Sequence, residues 1–145
     1  MAHAEGKITI ARPIQEVFAF ILDGENSRLW QPSILAIRRT TDQPLGVGTK
    51  FKQSITGPGG TRMDADYEII GCQPGKLIRF QVSAGQVKTL GTYTFQAIGD
   101  STTVAFVMDC KPPGLLKLAD SQIEKQMKLE VEKLAELKAY LEQAH

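Results

Sequence analysis

Few side chains in this chain can move a proton or attack a substrate. Tyr67 and Tyr93 each fall at an apolar phase of an alternating stretch, with Gln53 a third polar group of the same kind. A phenol turned inward needs a hydrogen-bond partner in the protein, in water or in a ligand. Together with ordered water it can also assist proton transfer. Asp64 and Asp66 look like a carboxylate pair of the sort that does acid/base work. Their phase, shared with Arg62 and Glu68, places them on a wet face instead. Cys72 and Cys110 are far apart and in no C-x-x-C pattern, which argues against a zinc site or a redox dithiol and for two reduced, partly buried thiols. A nucleophilic cysteine or serine wants a base beside it, yet the only histidines, His3 and His145, fall at the two ends, where fraying is expected. Gly46-Val47-Gly48-Thr49-Lys50 lacks the spacing of a phosphate loop and runs into a strand, so it reads as a turn. These residues call for no metal and no cofactor.

The elements that must position these groups follow from periodicity. Lys7–Ala11 alternates as a strand, and Arg12-Pro13 ends it and opens a short helix whose stripe is Ile14, Val17, Phe18 and Ile21. Asp23-Gly24-Glu25-Asn26 reads as a break, followed by a second helical turn over Ser27–Gln31 that carries Trp30. Strands are then expected from Ile34 to Thr41, over Thr49–Thr56 with Phe51, Gln53 and Ile55 on one face, and over Thr61–Ile69 with Met63, Ala65, Tyr67 and Ile69 on one face. Three more follow, over Leu77–Ser83, Val87–Ile98 and Thr103–Asp109, with turns at Gly57-Pro58-Gly59-Gly60, Gln73-Pro74-Gly75, Ala84-Gly85-Gln86 and Gly99-Asp100-Ser101. Pro112-Pro113-Gly114 ends the sheet. The remainder is helical, with Leu116, Ala119, Ile123, Met127, Val131, Leu134 and Leu141 at helical spacing and Leu137 beside them. A capping box at Ser121-Gln122-Ile123-Glu124 would start the helix there and leave Leu115–Ala119 as a separate turn. One long amphipathic helix must lie across something apolar, and the dry face of the sheet is the large candidate.

Composition agrees with this plan. The chain has 145 residues, 42% of them hydrophobic and 23% charged, which suits one folded domain over 1–145 with no need of a disulfide or metal staple. A net charge of +1 gives no general attraction to nucleic acid. No apolar run is long enough for a transmembrane segment, and Met1–Lys7 has no signal-peptide core, so a cytoplasmic protein is expected. Oligomeric state is not legible.

Several stretches carry a family resemblance. They are Ile8–Phe18, Asp23-Gly24-Glu25-Asn26, Trp30-Gln31-Pro32, Gly46–Phe51, Gly91-Thr92-Tyr93-Thr94-Phe95 and Thr102–Phe106. In these the chain resembles the START-like or Bet v 1-like superfamily, and within it the polyketide cyclase/dehydrase-like proteins. That resemblance implies an α+β helix-grip fold, with about seven antiparallel strands wrapped around a long C-terminal helix, two short helices after the first strand, and a cavity between sheet and helix. The alternation then supplies the lining: Phe51, Ile55, Met63, Tyr67, Phe80, Tyr93, Phe95, Phe106 and Met108 from the sheet, Ile123, Met127 and Val131 from the helix, and Trp30 with Pro32 at the mouth. Such a set suits a flat apolar ligand with one or two oxygens. Three functions compete: a carrier for a small hydrophobic molecule such as a lipid, isoprenoid, quinone or polyketide; a polyketide cyclase or dehydratase using Tyr67 or Tyr93 with water; and a chaperone-activator-like interaction module.

Overall fold

In the computed structural model, residues 2–84, 87–110 and 120–143 are described. The chain runs β1 (Ala2–Ile10), α1 (Ile14–Leu22), a 3-10 helix (Gly24–Leu29), β2 (Ile34–Arg39), β3 (Lys50–Thr56), β4 (Arg62–Asp64), β5 (Asp66–Gln73), β6 (Leu77–Ala84), β7 (Val87–Ile98), β8 (Ser101–Cys110), α2 (Asp120–Glu132) and α3 (Leu134–Glu142). A curled antiparallel sheet has the order β1-β8-β7-β6-β5-β3-β2, with β4 also paired to β3. Successive hairpins build everything except the β1–β8 pairing, which joins the two ends of the strand run.

The alternation holds where it was cleanest. Residues 62–73 form two strands rather than one, yet β3 keeps a single register with both, from Thr56↔Arg62 through Phe51↔Tyr67. Ala65, between them, still donates its N–H to Gln53 O at 2.9 Å, and Met63, Ala65, Tyr67 and Ile69 share a face as expected. Asp64, Asp66 and Arg79 are exposed.

Two expectations are overturned. First, β1 begins at Ala2, not Lys7, because β8 extends to Cys110 and offers a partner for every residue back to Ala2. His3 is therefore held, not frayed: its Nδ1 lies 2.6 Å from Asp109 Oδ1 and its Nε2 3.1 Å from Glu5 Oε2. Second, the break after α1 is narrower than expected: Asp23 alone is extended, and the second short helix starts at Gly24 rather than Ser27. Asp23 caps the 3-10 helix by accepting from the Glu25 N–H at 3.1 Å, and that helix ends at Leu29.

The C-terminal helix is interrupted at a single residue. Lys133, between α2 and α3, donates its N–H to Glu130 O at 3.2 Å, a tightened turn, after which α3 continues to Glu142. Both segments pack chiefly across β1, and Met127, Val131, Leu134, Leu137 and Leu141 are buried there. Close approach needs Gly6, since a Cβ at that position would sit 2.5 Å from Val131 Cγ1. The end of α3 is tied to the end of β1. Arg12 Nε donates to Leu141 O at 2.8 Å, Lys138 Nζ to Thr9 O at 2.8 Å, and the Ala11 N–H to Glu142 Oε2 at 2.7 Å. The expected turns at 85–86 and 112–114, the turn Leu115–Ala119 with the stripe residues Leu116 and Ala119, the Ser121 side chain and His145 lie outside the described residues.

Candidate ligand-binding site

Between the concave face of the sheet, α2 and the 3-10 helix lies a cavity of about 350 Å³. That volume is within the range of roughly 300–1,000 Å³ typical of small-molecule sites. β5, β6, β7 and β8 form its floor, because residues two apart on each strand point the same way. Tyr67, Phe80, Tyr93 and Phe106 make a continuous aromatic row across these strands, with centroids 5.4 Å apart for Tyr67–Phe80 and 5.8 Å for Phe80–Tyr93. Met108 extends the floor, Met63 closes the β4 side, Ile123 and Met127 come down from α2, and Trp30 stands at the 3-10 helix end.

Three residues expected in the lining are elsewhere, and the first, Val131, packs on Gly6 of β1. Phe51 is buried behind Tyr67, on which it stacks at 4.9 Å, with Gly24 packed over its edge. Phe95 meets Phe18 of α1 edge to face at 5.1 Å and belongs to the packed end of the core. Both have the right strand phase; elements that cross the sheet cover them. Pro32 also stays out of the cavity and lines an outer groove with Arg28, Leu29, Glu136, Ala139 and Tyr140. Trp30 is the wall between the two spaces, since it borders both.

The polar groups differ in how they are satisfied. Gln53 Nε2 donates to Ala65 O at 2.9 Å. Tyr67 shares a hydrogen bond with Ser27, and its oxygen rests against Gly24, where a Cβ would collide with it. Tyr93 is only 6% exposed, and its hydroxyl has no hydrogen-bond partner among the described residues. Burial pushes both phenols above their ordinary 10, so they are neutral donors at any ordinary pH.

One group in the wall was not expected. Glu130 borders the cavity from α2, accepts from Ser33 Oγ at 3.4 Å and is hydrogen-bonded to Gln126. Burial raises its carboxyl above the ordinary 4.5, opposed by Ser33, Lys133 and Gln126. Its spacing, seven after Ile123 and three after Met127, places it on the cavity side of the stripe. On a helix rich in charged residues, that position reads as solvated. Among the described lining residues there is no Lys, Arg or His, and Glu130 is the one ionisable acid. Nor do three His, Cys, Asp or Glu side chains gather as a metal set among the described residues.

A curled sheet gripping a long helix around an apolar cavity defines a START/Bet v 1-like fold. The chain belongs to the family described as polyketide cyclase / dehydrase and lipid transport, whose model matches residues 1–142. No curated protein matches it in sequence. Among solved structures it is similar to a START superfamily protein from Mycobacterium smegmatis, with a TM-score of 0.80, 15% identity and 99% of each chain covered. It is also similar to Ara h 8.0201, with a TM-score of 0.73, 16% identity and 95% of each chain covered. A third is the di-domain ARO/CYC StfQ from the steffimycin biosynthetic pathway, with a TM-score of 0.75 and 11% identity, covering 94% of this chain and 48% of that one. Identities this low establish the fold alone. No helix among the described residues is long and apolar enough to cross a membrane.

Proposed function

We propose that the protein binds and carries a small, largely apolar molecule that bears at least one oxygen or nitrogen. The observation that supports this most is the Tyr93 hydroxyl, buried at the cavity floor with no partner among the described residues. A buried hydroxyl without a partner is costly, and a ligand or water that meets it recovers a hydrogen bond. Apolar walls supply the affinity and Tyr93 the orientation. Native mass spectrometry of freshly purified protein tests the reading. A co-purified apolar molecule, lost on denaturation, is the expected result. Failure of every apolar ligand to bind the folded protein would point to an interaction module instead.

A second reading, a ring-closing or dehydrating enzyme, is favoured by one observation: the Glu130 carboxyl and the Tyr93 phenol border the same cavity. A carboxyl and a neutral phenol at the wall of one cavity are groups that can relay a proton to a departing hydroxyl. Turnover of a polyketide-like substrate that Glu130→Gln abolishes while binding persists would support it.

A further inference from the structure

A carrier's cavity selects its cargo by charge as well as by shape, and here the charge is one-sided. The described lining is aliphatic, aromatic or neutral polar except for Glu130. Two features fix that carboxyl in place: the Ser33 hydroxyl donates to Oε1 at 3.4 Å, and Gln126, one turn earlier on α2, hydrogen-bonds it. Lys133 lies one turn further on and influences the carboxyl, yet it does not border the cavity. A carboxylate or phosphate head entering this space would meet Glu130 in a low-dielectric wall with no described lining cation to neutralise it. A hydroxyl or amine would meet an acceptor already held in position.

We propose that Glu130 sets the chemical class of the ligand: an amphiphile whose polar end is an uncharged or cationic hydrogen-bond donor, an alcohol or an amine, with anionic heads excluded. This rests on the carrier reading and sharpens it. The donor meets the Glu130 carboxyl, the apolar body lies along Phe80 and Phe106, and a second oxygen, where the ligand has one, meets Tyr93.

The test is displacement of the neutral dye N-phenylnaphthylamine from the full chain at neutral pH by three ligands of one chain length: decanol, decylamine and decanoate. Decanol and decylamine should displace the dye, with decanoate weaker by about tenfold or more, which is ~1.4 kcal/mol. Glu130→Gln keeps the shape and an acceptor oxygen and removes the charge. It should bring decanoate to within about threefold of decanol and weaken decylamine by about tenfold. The wild-type ratio of decanol to decanoate tests the idea even where the variant does not fold. Equal binding of decanoate and decanol to the wild type overturns the charge filter and leaves the carrier reading standing. So does a ratio that a folded Glu130→Gln leaves unchanged. Failure of the dye and of all three ligands to bind overturns the carrier reading itself, and the inference with it.

Discussion

Tyr93 and Phe106 lie opposite each other on β7 and β8 and stack face to face, their ring centroids 4.2 Å apart and their planes 7° from parallel. The stack belongs to the rings alone. Tyr93→Phe should therefore keep the sheet and the cavity wall intact while removing the partnerless hydroxyl. Its Tm should equal or exceed that of the wild type, because no described intramolecular hydrogen bond is lost. Affinity for an oxygen-bearing ligand should fall by about 0.5–1.5 kcal/mol, measured by titration calorimetry. A fall of several degrees in Tm would show that the hydroxyl is structural.

Gly6→Ala should loosen the helix from the sheet. The new methyl would stand 2.5 Å from Val131 Cγ1, on strand backbone that cannot yield far. Overpacking of this kind costs about 1–3 kcal/mol, readable as a lower urea midpoint. Combining it with Val131→Ala makes room for the methyl, so the pair should be less destabilised than the sum of the two changes. Strict additivity would place the strain elsewhere.

Met127→Ala removes a side chain that is 3% exposed and faces both the core and the cavity. Such truncations cost about 2–5 kcal/mol, and a site that already borders open space should fall near 2. The enlarged cavity should at the same time bind bulkier apolar ligands more tightly. A loss near the top of the range would mean that Met127 is fully packed.

His3 makes stability depend on pH. The hydrogen bond to Asp109, and then that to Glu5, hold the imidazole above its ordinary 6.5. The folded state thus binds this proton more tightly than the unfolded chain. The stabilisation is complete below the unfolded value and is lost as pH rises through the raised folded value. Wild type should exceed His3→Gln in Tm at about pH 5.5 and match it at about pH 8.5, with high salt shrinking the gap. A gap constant across that range would rule out titration of His3 as the cause.

The parts of this fold that were legible were those in which one face is dry and the other wet. Met63 to Ile69, Ile78 to Val82 and Val104 to Met108 show their inward sides by alternation alone, and the structure places those side chains together. Ala2 to Gly6 carries almost no strand propensity, and its pairing comes from a strand a hundred residues away, so local pattern could not extend β1. Phe51 and Phe95 show the same limit at the site. Phase tells which face a side chain occupies, whereas the 3-10 helix and α1, placed by tertiary packing, decide whether that face stays open. Glu130 is not legible in the sequence because a charge on an amphipathic helix is normally solvated. Only the position of Ser33, nearly a hundred residues earlier in the chain, shows that this one is held at a cavity wall.

Trp30 is the partition between the cavity and the outer groove, and it is the only tryptophan in the chain. The protein therefore carries a built-in optical probe at its threshold. A guest in the cavity changes the polarity on one face of the indole, and displacement of the 3-10 helix changes it on the other. Unfolding exposes both faces to water. Emission wavelength, quenching by an external solute and anisotropy of a single unmodified residue can thus separate occupancy, opening and denaturation. Because no second indole contributes background, each can be followed in time without attaching a label.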